Sequence, residues 1–555
     1  MQLPPFSIER THTMISRQIG PLLPISLKPC SWYNHHYRCH HRLYTTSTEI
    51  QNNEIITSTE PTFHYAENQC TRYLKIRGPD TIPFLNGLCT SKLQPQITKK
   101  NLTTISPNDH FQFQGTTTQK ALKMLDDLDV RRGNWGIYKE RGLLDHSPPF
   151  ISRFGQYTGF LNSTGKLITD SYIYPTPVSS IGLSSSFSKY PEFLVGFGLG
   201  VYRRMVDYFR GHILTRRVKV EEVAPEATKT WDIMIGFGRD TRAGITINPW
   251  LENLLIPESS MRSPTEALEF ADGVVAGMFP GHEANVLGVY PDTRSVGILQ
   301  EDPLAPLSFR IVTDASVDDI TAIFNVGVFP VPLEFKQVDP KFFRRSRLVN
   351  GFVDGVNDIE PESVLPLELN FDYYPNVVSV DKGCYVGQEL LTRSFSTGIL
   401  RKRSVPVKIS NYKLLSEYLK LRPKDAKPLE VQMVDIQKQG QGDLDSGSNG
   451  GSSSNGTNNV ENHYNPFSKE NSNNQANRRL VKKRRNRPVG TLLCAEDDIG
   501  LIRLRTEHFP RAFGDPELQG LFYIELEDGE NRIELTHIRP FWLSEWLSEQ
   551  HGIHT

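Results

Sequence analysis

From Gln437 to about Ala476 the chain is crowded with Gly, Ser and Asn. A segment of that composition cannot bury enough apolar area to offset its ordering entropy. What flanks it sets the fold around it. Val405–Ile409 precedes it, and Val489–Leu493, Leu501–Leu504 and Leu521–Ile524 follow it, all short runs of strand character. Regularly spaced short strands predict a small β-barrel. The polar stretch therefore reads as a disordered insertion, residues 437–487, within a C-terminal β-barrel domain expected over 401–555. The insertion ends in Arg478-Arg479-Leu480-Val481-Lys482-Lys483-Arg484-Arg485-Asn486-Arg487. No aromatic residue interleaves with these charges to stack a base, so the run reads as a solvated flank and not as a nucleic-acid site.

Upstream, strand and helix signals mix without a regular βαβ beat, which favours an α+β body over a doubly wound sheet. Tyr73–Ile76 reads as a strand, and Gly78-Pro79-Asp80 opens an amphipathic helix carrying Ile82, Phe84, Leu85 and Leu88. Residues 97–150 are polar and irregular and read as an inserted excursion. Gln156–Leu161 and Lys166–Ile173 predict a hairpin turning through Asn162-Ser163-Thr164-Gly165. Val201, Met205, Val206, Phe209 and Ile213 recur at near-helical spacing before a strand at Val218–Val220. Ser263-Pro264-Thr265-Glu266 and Ser316-Val317-Asp318-Asp319 have the form of capping boxes. Gly196-Phe197-Gly198-Leu199-Gly200 misplaces the third glycine of a dinucleotide fingerprint and reads as a flexible turn before a helix.

The 62 basic and 63 acidic residues of this 555-residue chain nearly cancel. No global field draws it to nucleic acid or to an acidic membrane. Its six cysteines (Cys30, Cys39, Cys70, Cys89, Cys384 and Cys494) form no CxxC pair. The early apolar stretch Ile19–Leu27 is broken by Pro21 and Pro24 and falls far short of the ~20 residues that span a bilayer, so no membrane insertion is expected. The first 48 residues carry one acid, Glu9, against Arg10, Arg17, Lys28, Arg38 and Arg42. That balance predicts a mitochondrial transit peptide over residues 1–44 and a matrix location.

The stretch richest in chemistry is Asp381-Lys382-Gly383-Cys384-Tyr385-Val386-Gly387-Gln388-Glu389-Leu390-Leu391-Thr392-Arg393. Val377, Val378 and Val380 precede it as an expected strand, and Gln388 to Arg393 are good helix formers. Cys384 is thus expected on a glycine-flanked turn near a helix N-terminus, where the dipole and Lys382 both favour thiolate over thiol. Gly383 and Gly387 allow backbone approach to a ligand, and Gln388 and Glu389 supply polar groups beside it. The alternative is a buried small hydrophobe on an ordinary strand–helix turn.

The string Lys382-Gly383-Cys384-Tyr385-Val386-Gly387-Gln388-Glu389 resembles the signature of the YgfZ branch of the GcvT family. These are folate-binding, aminomethyltransferase-like proteins whose mitochondrial members are iron–sulfur cluster assembly factors. Gly78-Pro79-Asp80 with Phe84–Thr90, Phe160-Leu161-Asn162 through Asp170, Leu365–Asn370 and Gly398–Arg403 resemble further family landmarks. The resemblance implies an α+β folate-binding body over 62–400, with insertions near 97–150 and within 225–290, followed by the small β-barrel. It implies that Lys382, Gly383, Cys384, Tyr385, Gly387, Gln388, Glu389 and Arg393 make the functional turn at the mouth of a ligand cleft, and that Asp170 and Glu368 lie toward that cleft.

By the same resemblance the function is assisting [4Fe–4S] protein maturation with A-type scaffold proteins, with tetrahydrofolate as candidate cofactor. Stable cluster binding takes several thiolates. With one cysteine in the signature, no stably held metal is expected, and Cys384 would contribute one ligand or a reactive thiol to a shared site. The alternative is a tetrahydrofolate-dependent aminomethyl or one-carbon transferase. Two departures bear on this: aminomethyltransferases carry paired aspartates where this chain has Thr169-Asp170, and many relatives place two histidines where it has Phe395 and Ser396. The first weakens the transferase reading, and the second removes histidine ligation there.

Overall fold

A computed structural model describes residues 61–94, 134–140, 149–181, 190–238, 263–302, 304–329, 331–380, 382–423, 426–435, 487–514, 520–526 and 531–550. The expected transit peptide, most of the expected excursion at 97–150, nearly all of the expected insertion at 437–487, and Asp381 lie outside them.

Two five-stranded sheets build the body. Its strands are Thr62–Glu67 (β1), Thr71–Arg77 (β2), Ile137–Lys139 (β3), Phe150–Ser152 (β4), Gln156–Leu161 (β5), Leu167–Pro175 (β6), Glu192–Gly198 (β7), Lys219–Glu222 (β8), Thr228–Gly236 (β9), Val286–Pro291 (β10), Leu307–Asp314 (β11) and Glu334–Gln337 (β12). One sheet runs β10-β11-β9-β1-β12, antiparallel except for the β1–β12 pair, and the other runs β5-β6-β7-β2-β8. Short β3 and β4 pair with each other.

Each sheet is sealed on one face by a helix whose apolar residues recur at helical spacing. Pro264–Met278 lays Ala271, Val275 and Met278 into a core with Phe63, Trp231, Ile233 and Ile311. Leu199–Gly211 lays Val201, Met205 and Phe209 into a core with Leu74, Ile76, Phe160 and Phe197. A third core holds Tyr73, Tyr157, Tyr172, Tyr174 and Tyr290 with Phe371 and the barrel residues Ile499 and Leu501.

The remaining strands, Lys402–Ile409 (β13), Glu430–Asp435 (β14), Gly490–Glu496 (β15), Ile499–Arg505 (β16), Gly520–Glu525 (β17) and Arg532–His537 (β18), close a barrel in the order β13-β16-β15-β14-β17-β18. Pairing of β18 with β13 leaves no open edge. Body and barrel are tied by buried contacts: Arg403 pairs with Asp372 at 2.8 Å, and Asn370 donates to the Ser404 carbonyl at 2.9 Å. Among the described residues no helix is long and apolar enough to cross a membrane.

Several local expectations change. The Ser263 hydroxyl accepts from Glu266 N and caps its helix, but the second capping box starts no helix at Ser316. The helix there is only Ile320–Ile323 and is capped by Asp319, while Ser316 bonds to Asp314. Within 225–290, expected to hold an insertion, the described residues supply β9, the start of β10 and the helix Pro264–Met278, all core elements, while residues 239–262 lie outside the described residues. Within 97–150, Trp135, Ile137 and Tyr138 are buried. Val377–Val380 forms no strand, because Pro375 lacks a donor and Asn376 turns the chain at φ 59°.

Candidate functional site

The signature turn is laid along the segment that follows the short helix Thr81–Asn86. Thr90 and Ser91 hydroxyls donate to the Val377 carbonyl at 2.7 and 3.2 Å, and Ser379 N donates to Thr90 O at 3.0 Å. Lys382 then turns inward. Its Nζ donates to the carbonyl oxygens of Cys89 and of Ser91, the latter at 2.8 Å, and sits 4.3 Å from the centre of the Tyr385 ring. Burial brings its ammonium down to about 8. The turn is pinned again at Val386, whose N–H donates to Gly87 O at 3.1 Å.

Gly387, at φ 77°, ends the turn in the left-handed region and caps the helix Gln388–Thr397. A Cβ there would stand 2.4 Å from the Asn162 carbonyl oxygen, in the turn of the β5–β6 hairpin. Gln388 Oε1 accepts from Tyr385 N at 3.0 Å, so this side chain organises the turn. Tyr385 is buried, and its hydroxyl finds no partner among the described residues. Glu389 and Arg393 are exposed on the helix.

Cys384 stands exposed between the two pins. The expectation of an exposed sulfur on a glycine-framed turn before a helix describes this geometry. The expected help from Lys382 is not what the geometry displays, because that ammonium is directed at backbone carbonyls. Cys70 is also exposed, while Cys89 and Cys494 are buried.

A cavity of about 720 Å³ opens elsewhere on the body, lined by Asp170, Tyr172, Asp232, Arg310, Arg347 and Asp354 among others. Cys384 is not part of its lining. The expected placement of the thiol at a cleft mouth therefore does not describe this cavity. Asp170 does line it. Tyr157 OH donates to its Oδ2 at 2.8 Å and Gly355 N to its Oδ1 at 2.7 Å. Burial, and then the charge of Asp354, push the Asp170 carboxyl up to about 6. Burial works on Asp354 in the same direction, but the guanidiniums of Arg310 and Arg347 outweigh it and hold that carboxyl below its ordinary value. Arg310 binds Asp232 at 2.7 Å and Asp354 at 2.6 Å, and lies 4.4 Å over the Tyr172 ring.

Glu368 is not part of the lining either. It sits in the one-turn helix Pro366–Leu369, where its Oε2 accepts from Leu365 N at 3.2 Å and from Arg503 of the barrel at 3.1 Å. The short helix aims this carboxylate at β16. Conversely, the Gly196–Gly200 stretch, read as a plain turn, runs along the cavity wall. Asp232, Arg310 and Asp354 escaped the sequence reading. The available signal was a lone charge inside an apolar strand run, as in Trp231-Asp232-Ile233 and Phe309-Arg310-Ile311, since buried charges persist where they are paired.

No protein-family model matches the chain. It is 39% identical over 500 residues to the mitochondrial iron–sulfur cluster assembly factor IBA57 of Saccharomyces cerevisiae, covering 90% of this chain and 93% of that protein. It is 38% identical over 502 residues to the mitochondrial IBA57 homologue of Candida glabrata, covering 88% and 91%. A solved structure, the glycine cleavage system aminomethyltransferase T of Bartonella henselae, matches 88% of each chain with a TM-score of 0.42 at 10% identity.

Proposed function

The chain belongs to the family of mitochondrial iron–sulfur cluster assembly factors represented by IBA57, and we propose that it works in the matrix, helping A-type scaffold partners assemble four-iron clusters, with Cys384 as the participating thiol. The observation that carries this reading is the exposed sulfur held on a turn fixed at both ends. One thiol does not hold a cluster, which ordinarily takes several thiolates. Cys70, the other exposed cysteine among the described residues, lines the cavity, whereas Cys384 does not. Cys384 therefore acts in a site completed by the partner's ligands. Depleting the chain tests the reading: matrix [4Fe–4S] enzymes lose activity while two-iron proteins keep theirs. Equal loss in both classes overturns it.

The transferase alternative draws support from the cavity. Its volume of about 720 Å³ lies in the usual range for small-molecule sites, ~300–1,000 Å³. In this reading tetrahydrofolate would occupy it, with Asp170 and Tyr172 on its wall. Bound folate supplies a one-carbon carrier. What the chain itself brings is thinner: Glu368 is engaged with Arg503, and Asp232 and Asp354 are engaged with arginines. This pairing favours the assembly reading, with folate as an accessory ligand. Turnover of an aminomethyl donor by the purified chain would reverse that preference.

A further inference from the structure

We propose that Lys382 is a positioning residue for Cys384, its inward-turned, part-buried ammonium fixing one end of the turn from which the thiol projects; this rests on the assignment of Cys384 above. The two pins are placed symmetrically. Lys382 stands two residues before the cysteine and Val386 two residues after it, and both bind the single segment Gly87–Ser91. Tyr385 fills the space beneath, buried, with the Lys382 ammonium over its ring. Between these anchors Cys384 is exposed to solvent.

The choice of lysine is informative because it is a poor choice for stability alone. Among the described residues no carboxylate lies within ion-pair distance of this ammonium, Glu140 acting on it only from farther away; backbone carbonyls are what it binds. Burying a cation against neutral acceptors is unfavourable relative to an apolar chain of the same length. What the ammonium adds is several donors on one point, able to draw the Cys89 and Ser91 carbonyls together. A methionine would fill the same space and leave both carbonyls without that tie. The lysine is thus explained by the geometry it imposes on the turn.

The test compares full-length Lys382→Met, Lys382→Arg and Cys384→Ser chains. In Lys382→Met, amide exchange at Val386 accelerates by about tenfold or more, as expected when a local tie is lost without global unfolding, and Tm does not fall. Support of four-iron cluster assembly drops, and Lys382→Arg recovers it at least in part. A merely structural lysine gives the opposite pattern, a lowered Tm with uniformly faster exchange, and overturns the inference. So do wild-type exchange and assembly in Lys382→Met. If Cys384→Ser retains assembly, the role of the cysteine falls, while Val386 exchange still decides whether the pin exists. Should Lys382→Met not fold, reductive methylation of the native chain decides: Lys382 resists while exposed Lys413 reacts, and equal modification of the two overturns the inference.

Discussion

Gly387 and Gly165 meet at the seam between the signature turn and the β5–β6 hairpin, where a Cβ on Gly387 would lie 3.0 Å from the Gly165 Cα and 2.4 Å from the Asn162 carbonyl oxygen. Both glycines adopt positive φ, 77° and 84°. Gly387→Ala combines left-handed strain of about 1–3 kcal/mol with a backbone clash that only movement of the turn relieves. Denaturant unfolding is expected to show at least that loss, and assembly activity to fall with it. A variant as stable and active as the wild type would mean the two turns need not be this close.

Asp170 carries a signed pH prediction. Its folded carboxyl is raised to about 6 by burial and by Asp354, so the folded state holds its proton over a range where the unfolded chain has released it. Stability from this group is present at low pH and declines by about 3 kcal/mol as pH rises from about 4 to about 6. The stabilising contribution of Asp354, whose carboxyl is held low, is lost only below about 4, as pH falls. The two windows are therefore separate. Unfolding curves of Asp170→Asn against the wild type are expected to shift in favour of the variant by that amount across the upper window. A constant difference would show that Asp170 does not titrate there.

Arg344 links the body to the barrel, binding buried Asp358 at 2.8 Å and Glu496 of β15 at 2.6 Å. Removing one partner of a buried pair costs about 3–5 kcal/mol, because the other charge stays unpaired. Arg344→Ala is expected to lose about that much in equilibrium unfolding, and adding Asp358→Asn to restore part of it. A loss below ~1 kcal/mol, the worth of an exposed pair, would contradict the assignment.

The elements with strong local signals were legible in the sequence. The hairpin at Asn162–Gly165, the helix Leu199–Gly211 and the barrel strands β13, β15, β16 and β17 each carry their own periodicity or turn chemistry. Strand β18 was missed even though Arg532–His537 alternates exposed and buried residues, and β14 was missed beside the polar stretch that follows it. The sheet β10-β11-β9-β1-β12 was the hardest to foresee, since its pairings join residues as distant as Thr62 and Glu334. Within the site, the turn was readable from Lys382 to Glu389 as a string. The inward path of Lys382 and the diversion of Glu368 to Arg503 were not, because both depend on partners far away in the chain.

The most direct test of the account is Cys384→Ala introduced in place of the native chain in cells. The sulfur is exposed, so purified variant and wild type should unfold within about 0.5 kcal/mol of one another, as surface substitutions usually do. Activities of matrix [4Fe–4S] enzymes should nonetheless fall to the level seen without the protein, while two-iron proteins stay loaded. Full [4Fe–4S] enzyme activity in cells relying on the alanine variant would contradict the account at its centre.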